Sequence, residues 1–199
     1  YAKIDNGKGV ILDHPDVRRM LITMKSLTSA VRALCLDAAL SLDLSKSSDK
    51  KVAEKEDARA SFLIPIAKAF STDIGCRVAD LGIQVHGGMG YVEETGAAQV
   101  LRDVRVTAIY EGTNGIQAID LIGRKLSDSG KATNGLIDEI KITIRNCGNH
   151  NDLQIKEMGN RLSKSLACLE GSLNWMLEQE DFNDRLAGAT PFLKAFGLI

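Results

Sequence analysis

At 199 residues the chain is long enough to bury about 70% of its unfolded surface in one core, or in one core with a helical appendage. A formal net charge of -1 removes any whole-molecule attraction to nucleic acid or to an anionic membrane, which leaves small molecules and other proteins as partners. Hydrophobic content of 44%, three prolines and 5% aromatics favour a helical globular fold over a β-sandwich. No run approaches the eighteen or so apolar residues of a membrane span and no signal peptide is visible, so a cytoplasmic location is expected. The chain starts at Tyr1 rather than at methionine, and a fragment of a longer polypeptide is therefore expected. Cys35, Cys76, Cys147 and Cys168 lie far apart, as do His14, His86 and His150. No metal site is expected from that spacing, and the cysteines read as small buried hydrophobes in helical patterns.

In chain order, Asn6-Gly7 with Gly9 reads as a turn. Asp13 is placed to cap a helix whose first turn holds Pro15. Val17, Met20, Met24, Leu27, Val31, Leu34 and Ala38 then recur at steps of three and four, which predicts about seven helical turns with one apolar stripe. Asp43 to Glu56 is polar and predicts an exposed loop between antiparallel helices. A second long helix is expected from about Asp57 to Gln84, its stripe running through Leu63, Ile66, Phe70, Ile74, Val78, Leu81 and Val85. Pro65 lies inside that pattern, so the helix either starts near it or bends there. Gly87, Gly88 and Gly90 then end it.

Glu93 to Arg105 predicts a shorter helix, and the β-branched run from Val104 to Tyr110 predicts an extended segment. Thr113 or Asn114 can cap the next helix, which carries Ile116, Ile119, Leu121, Ile122 and Leu126. Ser127 to Gly135 is the best internal boundary. A short helix through Ile137 and Ile144, a break at Asn146 to Asn151, and a third long helix from Ile155 to Met176 follow. Thr190-Pro191 reads as the start of a final short helix. No repeat emerges and strand signals are nearly absent, so the fold class is all-α, an up-down bundle followed by extra helices.

Two glycine-bearing turns stand out within Gln84 to Gln117. HGGMG at 86–90 lacks the spacing of a dinucleotide fingerprint and follows a helix, so it reads either as a helix end or as a place where backbone approaches a ligand closely. Glu111, between Tyr110 and Gly112 at the entry to a helix, is either a favourably placed helix N-terminal acid or a general base on a mobile turn.

The ordered elements QVHGGMGY at 84–91, LRDVRV at 101–106 and IYEGTNGIQ at 109–117 resemble the C-terminal domain of the acyl-CoA dehydrogenase flavoproteins. Weaker similarity runs through KAFSTDIG at 68–75 and HPDVRRML at 14–21. The resemblance implies a four-helix bundle of acyl-CoA dehydrogenase type over 1–127 and an additional C-terminal helical region over 128–199, with the family's N-terminal helical and β domains outside the chain. The added region resembles that of the larger bacterial branch, which includes 3-methylthiopropionyl-CoA dehydrogenase-like proteins. The resemblance implies that Glu111 removes the α-proton of an acyl-CoA thioester while FAD accepts the β-hydride, giving a 2-enoyl-CoA. It makes Tyr110 and Gly112 the thioester-end substrate contacts, and Gln84, Gly87, Gly88 and Thr113 the FAD contacts. Gly115 stands where many members carry a glutamine beside the adenine, so that contact is either lost or moved to Gln117; Pro15 replaces another glutamine near the flavin. Electron-transfer flavoprotein as acceptor and a homodimer or dimer of dimers follow from the same resemblance. A flavin-containing interaction or nucleic-acid-associated protein on this fold, without efficient dehydrogenation, is the second reading. A strong basic face in the portion outside the chain would favour it, whereas the glutamate in IYEGTNG and the near-neutral charge favour the first.

Overall fold

A computed structural model of the chain describes residues 9–126 and 131–199. Among the described residues there are eight α-helices, three short 3-10 turns, one π-helical turn and no strand. The helices are α1 (Pro15–Leu44), α2 (Lys50–His86), α3 (Gly88–Tyr91), α4 (Ala97–Arg105), α5 (Asn114–Asp120), α6 (Lys131–Gly148), α7 (Leu153–Glu178) and α8 (Phe182–Gly197). The fold is all-α, as the periodicity requires. The turn at Asn6-Gly7 and residues 127–130 of the expected break lie outside the described residues.

Several boundaries differ from expectation for local reasons. Asp13 does not cap α1; it closes a 3-10 turn, Ile11–Asp13, and its carboxylate accepts from Val10 N at 3.3 Å. The polar segment after α1 is a loop only as far as Asp49, whose Oδ1 accepts from Lys51 N at 2.9 Å and so starts α2 seven residues earlier than the apolar stripe suggests. Pro65 neither starts nor ends α2; it is buried inside one continuous helix. The β-branched stretch after Arg105 is not extended. It forms a 3-10 turn, Val106–Ala108, with Thr107 Oγ1 donating to the Val104 carbonyl at 2.6 Å. Pro191 lies inside α8, which begins earlier, at an Asp181 cap accepting from Asn183 N.

The chain forms two compact units, residues 1–35 with 71–111, and residues 36–70 with 112–199. In the first, α1 and α2 run antiparallel: Cys35 Sγ lies 3.5 Å from Ser71 Oγ, and Met24 abuts Gly82. α4 packs on α2 at Gly75, where a Cβ would stand 3.0 Å from Val104 Cγ2. Val17, Met20, Ile74 and Ala98 are buried there. Cys35 is exposed rather than buried, and so is Cys168 on α7; the opposite face of α1 also leaves Ile22, Leu36 and Leu40 in the open.

The second unit is centred on Phe62, Ile66, Leu121 and Leu169. α6 and α7 pair through Gly159, which is buried because Cys147 lies against it, while Met158 beside it is exposed. Arg59 joins three helices. Its guanidinium donates to both oxygens of Asp37 on α1 (2.7 and 3.0 Å), to Ser41 Oγ (2.7 Å) and to Glu139 on α6 (3.0 Å). Burial works against the charge, yet the hydrogen bonds to Asp37 and Glu139 outweigh it and raise its pKa above the ordinary arginine value. Both acids are partly solvated. Arg59→Met is therefore expected to lower the unfolding free energy by about 1–2 kcal/mol, seen as a lower urea midpoint at unchanged slope.

Candidate functional site

The carboxylate of interest follows the 3-10 turn that extends α4. Tyr110 is exposed. Glu111 then takes a left-handed φ of 55°, the single non-glycine residue to do so among those described, and Gly112 follows at 87°. A side chain in the left-handed region costs about 1–2 kcal/mol, and such strain persists only where the surroundings fix it.

The fixing contacts come from α2. Lys68 Nζ donates to the Gly112 carbonyl at 2.7 Å and to Asn114 Oδ1 at 3.0 Å. Asn114 Nδ2 in turn donates to the Ala69 carbonyl at 3.1 Å. On the far side Thr113 caps α5, its Oγ1 accepting from Ile116 N at 3.4 Å. Gln117 folds its amide back over the turn, with Nε2 3.3 Å from where a Gly112 Cβ would be. Gly112 is glycine for both φ and space. The turn is thus held at every residue after Glu111, while Glu111 itself remains exposed.

The other expected site residues sit at the end of α2 and the start of α3. Gln84 is exposed on the last turn of α2. His86 Nδ1 donates to the Gly82 carbonyl at 2.7 Å, a partner that accepts only and so fixes the proton on Nδ1. Gly87 adopts φ 62°, ψ -145°, a conformation essentially restricted to glycine. Gly90 is packed against Ile83 and His86 and has no room for a side chain. Gly88 differs from both: its φ is not positive, and a Cβ there would meet nothing within 4 Å. Its lack of a side chain has no explanation inside the chain.

Thr113 caps α5 and Gln117 lies on it, while Gln84, Gly87 and Gly88 lie where α2 ends and α3 begins. Lys68 and Asn114 were not anticipated as site residues. The signal was present, since Lys68 opens the KAFSTDIG segment and Asn114 lies within IYEGTNGIQ, but neither residue type announces a contact some 44 residues away along the chain. Among the described residues no group of three His, Cys, Asp or Glu side chains could hold a metal ion, and no helix is long and apolar enough to cross a membrane.

These features define an all-helical domain that presents an exposed carboxylate on a clamped turn beside a capped helix. The family model described as "Acyl-CoA dehydrogenase, C-terminal domain" matches residues 1–126, and the chain belongs to the acyl-CoA dehydrogenase family. It is 40% identical over 190 residues to 3-methylmercaptopropionyl-CoA dehydrogenase of Ruegeria pomeroyi, covering 94% of this chain and 32% of that protein. A butyryl-CoA dehydrogenase of Syntrophomonas wolfei is 40% identical over 119 residues, 59% of this chain and 19% of the relative. A solved structure described as "Bd2924 apo-form" superposes with a TM-score of 0.70 at 20% identity over 96% of this chain and 33% of its own, a likeness of fold. The chain spans at most about a third of the length of these relatives.

Two outcomes follow from the geometry of the turn. Lys68→Met, which keeps the aliphatic stem and removes both donated bonds, is expected to destabilise by about 1.5–3 kcal/mol, measured by denaturant titration. Glu111→Gly relieves the left-handed side chain at the expense of glycine's extra entropy in the unfolded chain, for a net gain of about 0.5–1 kcal/mol. A lower melting temperature for Glu111→Gly would show that φ at 111 is not strained.

Proposed function

We propose that the chain is the helical part of an enzyme that dehydrogenates an acyl-CoA thioester to a 2-enoyl-CoA, with Glu111 as the base. The observation that carries this reading is the strained, clamped and exposed placement of Glu111. Local strain at a position any polar residue could otherwise occupy is a mark of function. In this reading 1–127 is the family's C-terminal bundle and 128–199 an added helical region, and the family's N-terminal helical and β domains belong to the parent protein.

The residues at hand fit FAD. Gly88 offers bare backbone with open space over it, Gly87 holds the backbone turned at the end of α2, and Gln84 projects an exposed amide. Gln84, Gly87 and Gly88 would hold the adenosine and pyrophosphate portion, and Thr113 and Gln117 a second part of the cofactor. When bound, FAD supplies the acceptor for the β-hydride. Everything else is done by this chain. Tyr110 and Gly112 line the thioester end, and the Glu111 N–H donates to the thioester carbonyl, where negative charge grows as the α-proton departs. The Glu111 carboxylate takes that proton. An apolar acyl chain lying against it strips water from the carboxylate and makes it a stronger base. The clamp at Lys68 and Asn114 limits how far that carboxylate wanders. Glycine approach of the kind proposed at Gly88 is commonly made across a subunit interface in this family, so a homodimer or dimer of dimers is proposed. Electron-transfer flavoprotein is the proposed acceptor, and the cytoplasm the proposed location.

The test uses the full-length parent protein. Butyryl-CoA and 3-methylmercaptopropionyl-CoA, added anaerobically, are expected to bleach the flavin absorbance. Glu111→Gln is expected to abolish bleaching, by about 100-fold or more in rate, while FAD stays bound. Undiminished reduction in that variant would remove Glu111 from the base role.

A further inference from the structure

Residues 131–199 lie beyond the stretch matched by the family model, yet their last helix reaches back to the segment of α2 that holds the turn. Gly197, the final residue of α8, lies so close to Phe70 that a Cβ there would overlap the ring. Phe196 meets Phe62 edge to face with centroids 5.1 Å apart, and Phe192 meets Phe196 in the same manner at 5.3 Å. Between Phe62 and Phe70 on α2 are Lys68 and Ala69, the two residues that bond Gly112 and Asn114. They are one and two positions from the ring that Gly197 touches.

α8 also reaches the other side of the turn. It packs on α5 and on the π-helical turn, Leu121–Lys125, that continues α5. There Arg185 Nη2 donates to the Ile122 carbonyl at 2.9 Å. A π-helical turn is wider than an α-turn and is rarely sustained without outside support. One helix therefore braces both anchors of the Gly112–Asn114 turn, α2 before it and the π-turn after it.

We propose that α8 is an intramolecular buttress for this turn, so that Gly197, Phe196 and Arg185 are positioning residues for Glu111. The proposal rests on the reading of Glu111 as the base. Lys68 and Ala69 ride on a helix whose adjacent ring, Phe70, is buried, so a wedge at Gly197 moves the ring, the helix and both bonds to the turn together. Glu111 is joined directly to Gly112, so a slip of the turn displaces its backbone as well.

The experiment compares two wedges in the full-length parent protein. Gly197→Ala pushes on Phe70. Gly159→Ala pushes instead on Cys147, whose Cβ would lie 2.6 Å away, and loosens α6 against α7. Two readouts are taken: hydrogen exchange of the 112–117 amides, which include the Ile116 N–H bonded to Thr113, and the limiting rate of flavin reduction at saturating butyryl-CoA. Gly197→Ala is expected to speed exchange in 112–117 and to lower the limiting rate about 10- to 100-fold, with half-saturating thioester nearly unchanged. Gly159→Ala is expected to lower the melting temperature and leave both readouts where they were. Phe70→Leu added to Gly197→Ala makes room for the wedge and is expected to recover both. If Gly197→Ala does not fold, Arg185→Met, which removes the Ile122 bond without added bulk, carries the same comparison.

Unchanged exchange in 112–117 for the variants at 197 and 185 overturns the buttress, and so does an equal effect from Gly159→Ala. Faster exchange with an unchanged rate, in an enzyme whose reduction Glu111→Gln abolishes, overturns the positioning role. If Glu111→Gln leaves reduction intact, the base assignment fails by itself and exchange alone judges the buttress.

Discussion

A half-buried ammonium holds the candidate site in shape. Lys68 Nζ reaches from α2 to the Gly112 carbonyl and the Asn114 side chain, and Asn114 returns a bond to the Ala69 carbonyl one residue further along α2. Two successive residues, Glu111 and Gly112, take positive φ and interrupt the helical hydrogen-bond pattern between α4 and α5. A backbone in that conformation must find donors elsewhere. A lysine supplies a charged donor on a flexible stem, and a charged donor to a neutral carbonyl is worth more than an amide would be. The clamp acts on the residues after Glu111 and leaves its side chain exposed, which is the arrangement a base needs to meet a ligand.

The glycines around the site separate into three kinds by physical cause. Gly87 and Gly112 take backbone angles that side chains rarely adopt. Gly90 and Gly197 are crowded by Ile83 and Phe70 respectively. Gly88 is neither turned nor crowded. The fold accounts for the first two kinds without reference to any ligand. Gly88 is left over, and a bare stretch of backbone at the end of a long helix is what close approach by a phosphate or ring demands.

Helical periodicity was enough to read α1, α2 and α7 from sequence, because each has an apolar stripe of many turns that no short-range effect can overturn. Element ends were less legible. Asp49 and Asp181 start helices in polar surroundings where no stripe exists, and Pro65 and Pro191 sit inside helices that tertiary packing keeps intact. The β-branched run at Val104 to Tyr110 misled because a hydroxyl-to-carbonyl bond at Thr107 and the packing of Ala108 favour a 3-10 turn over an extended strand with no partner. At the site, Glu111 and the glycines were legible as a composite motif resembling a family. The clamp was not, since a lysine on a helix reads as a solvated charge until its partners across the chain are known. Cys35 and Cys168 show the same limit in reverse: a small residue near an apolar stripe reads as buried, yet both are exposed.

The added C-terminal region is harder to treat as an appendage once its packing is considered. Phe62 and Leu121 are fully buried in the second unit, and the Phe196 ring of α8 lies directly on Phe62. Taking α8 away would expose an aromatic face on α2 and leave the Ile122 carbonyl without the Arg185 donor. Both losses fall on elements that anchor the site: Phe62 and Phe70 lie on either side of Lys68 on α2, and Ile122 lies in the π-turn that continues the helix capped by Thr113. A bundle with α8 in place is therefore a different mechanical object from residues 1–126 alone, even though those residues carry every group proposed to meet substrate or cofactor. The chemistry is written in the shared motif; the stiffness with which it is held depends on the helix that follows.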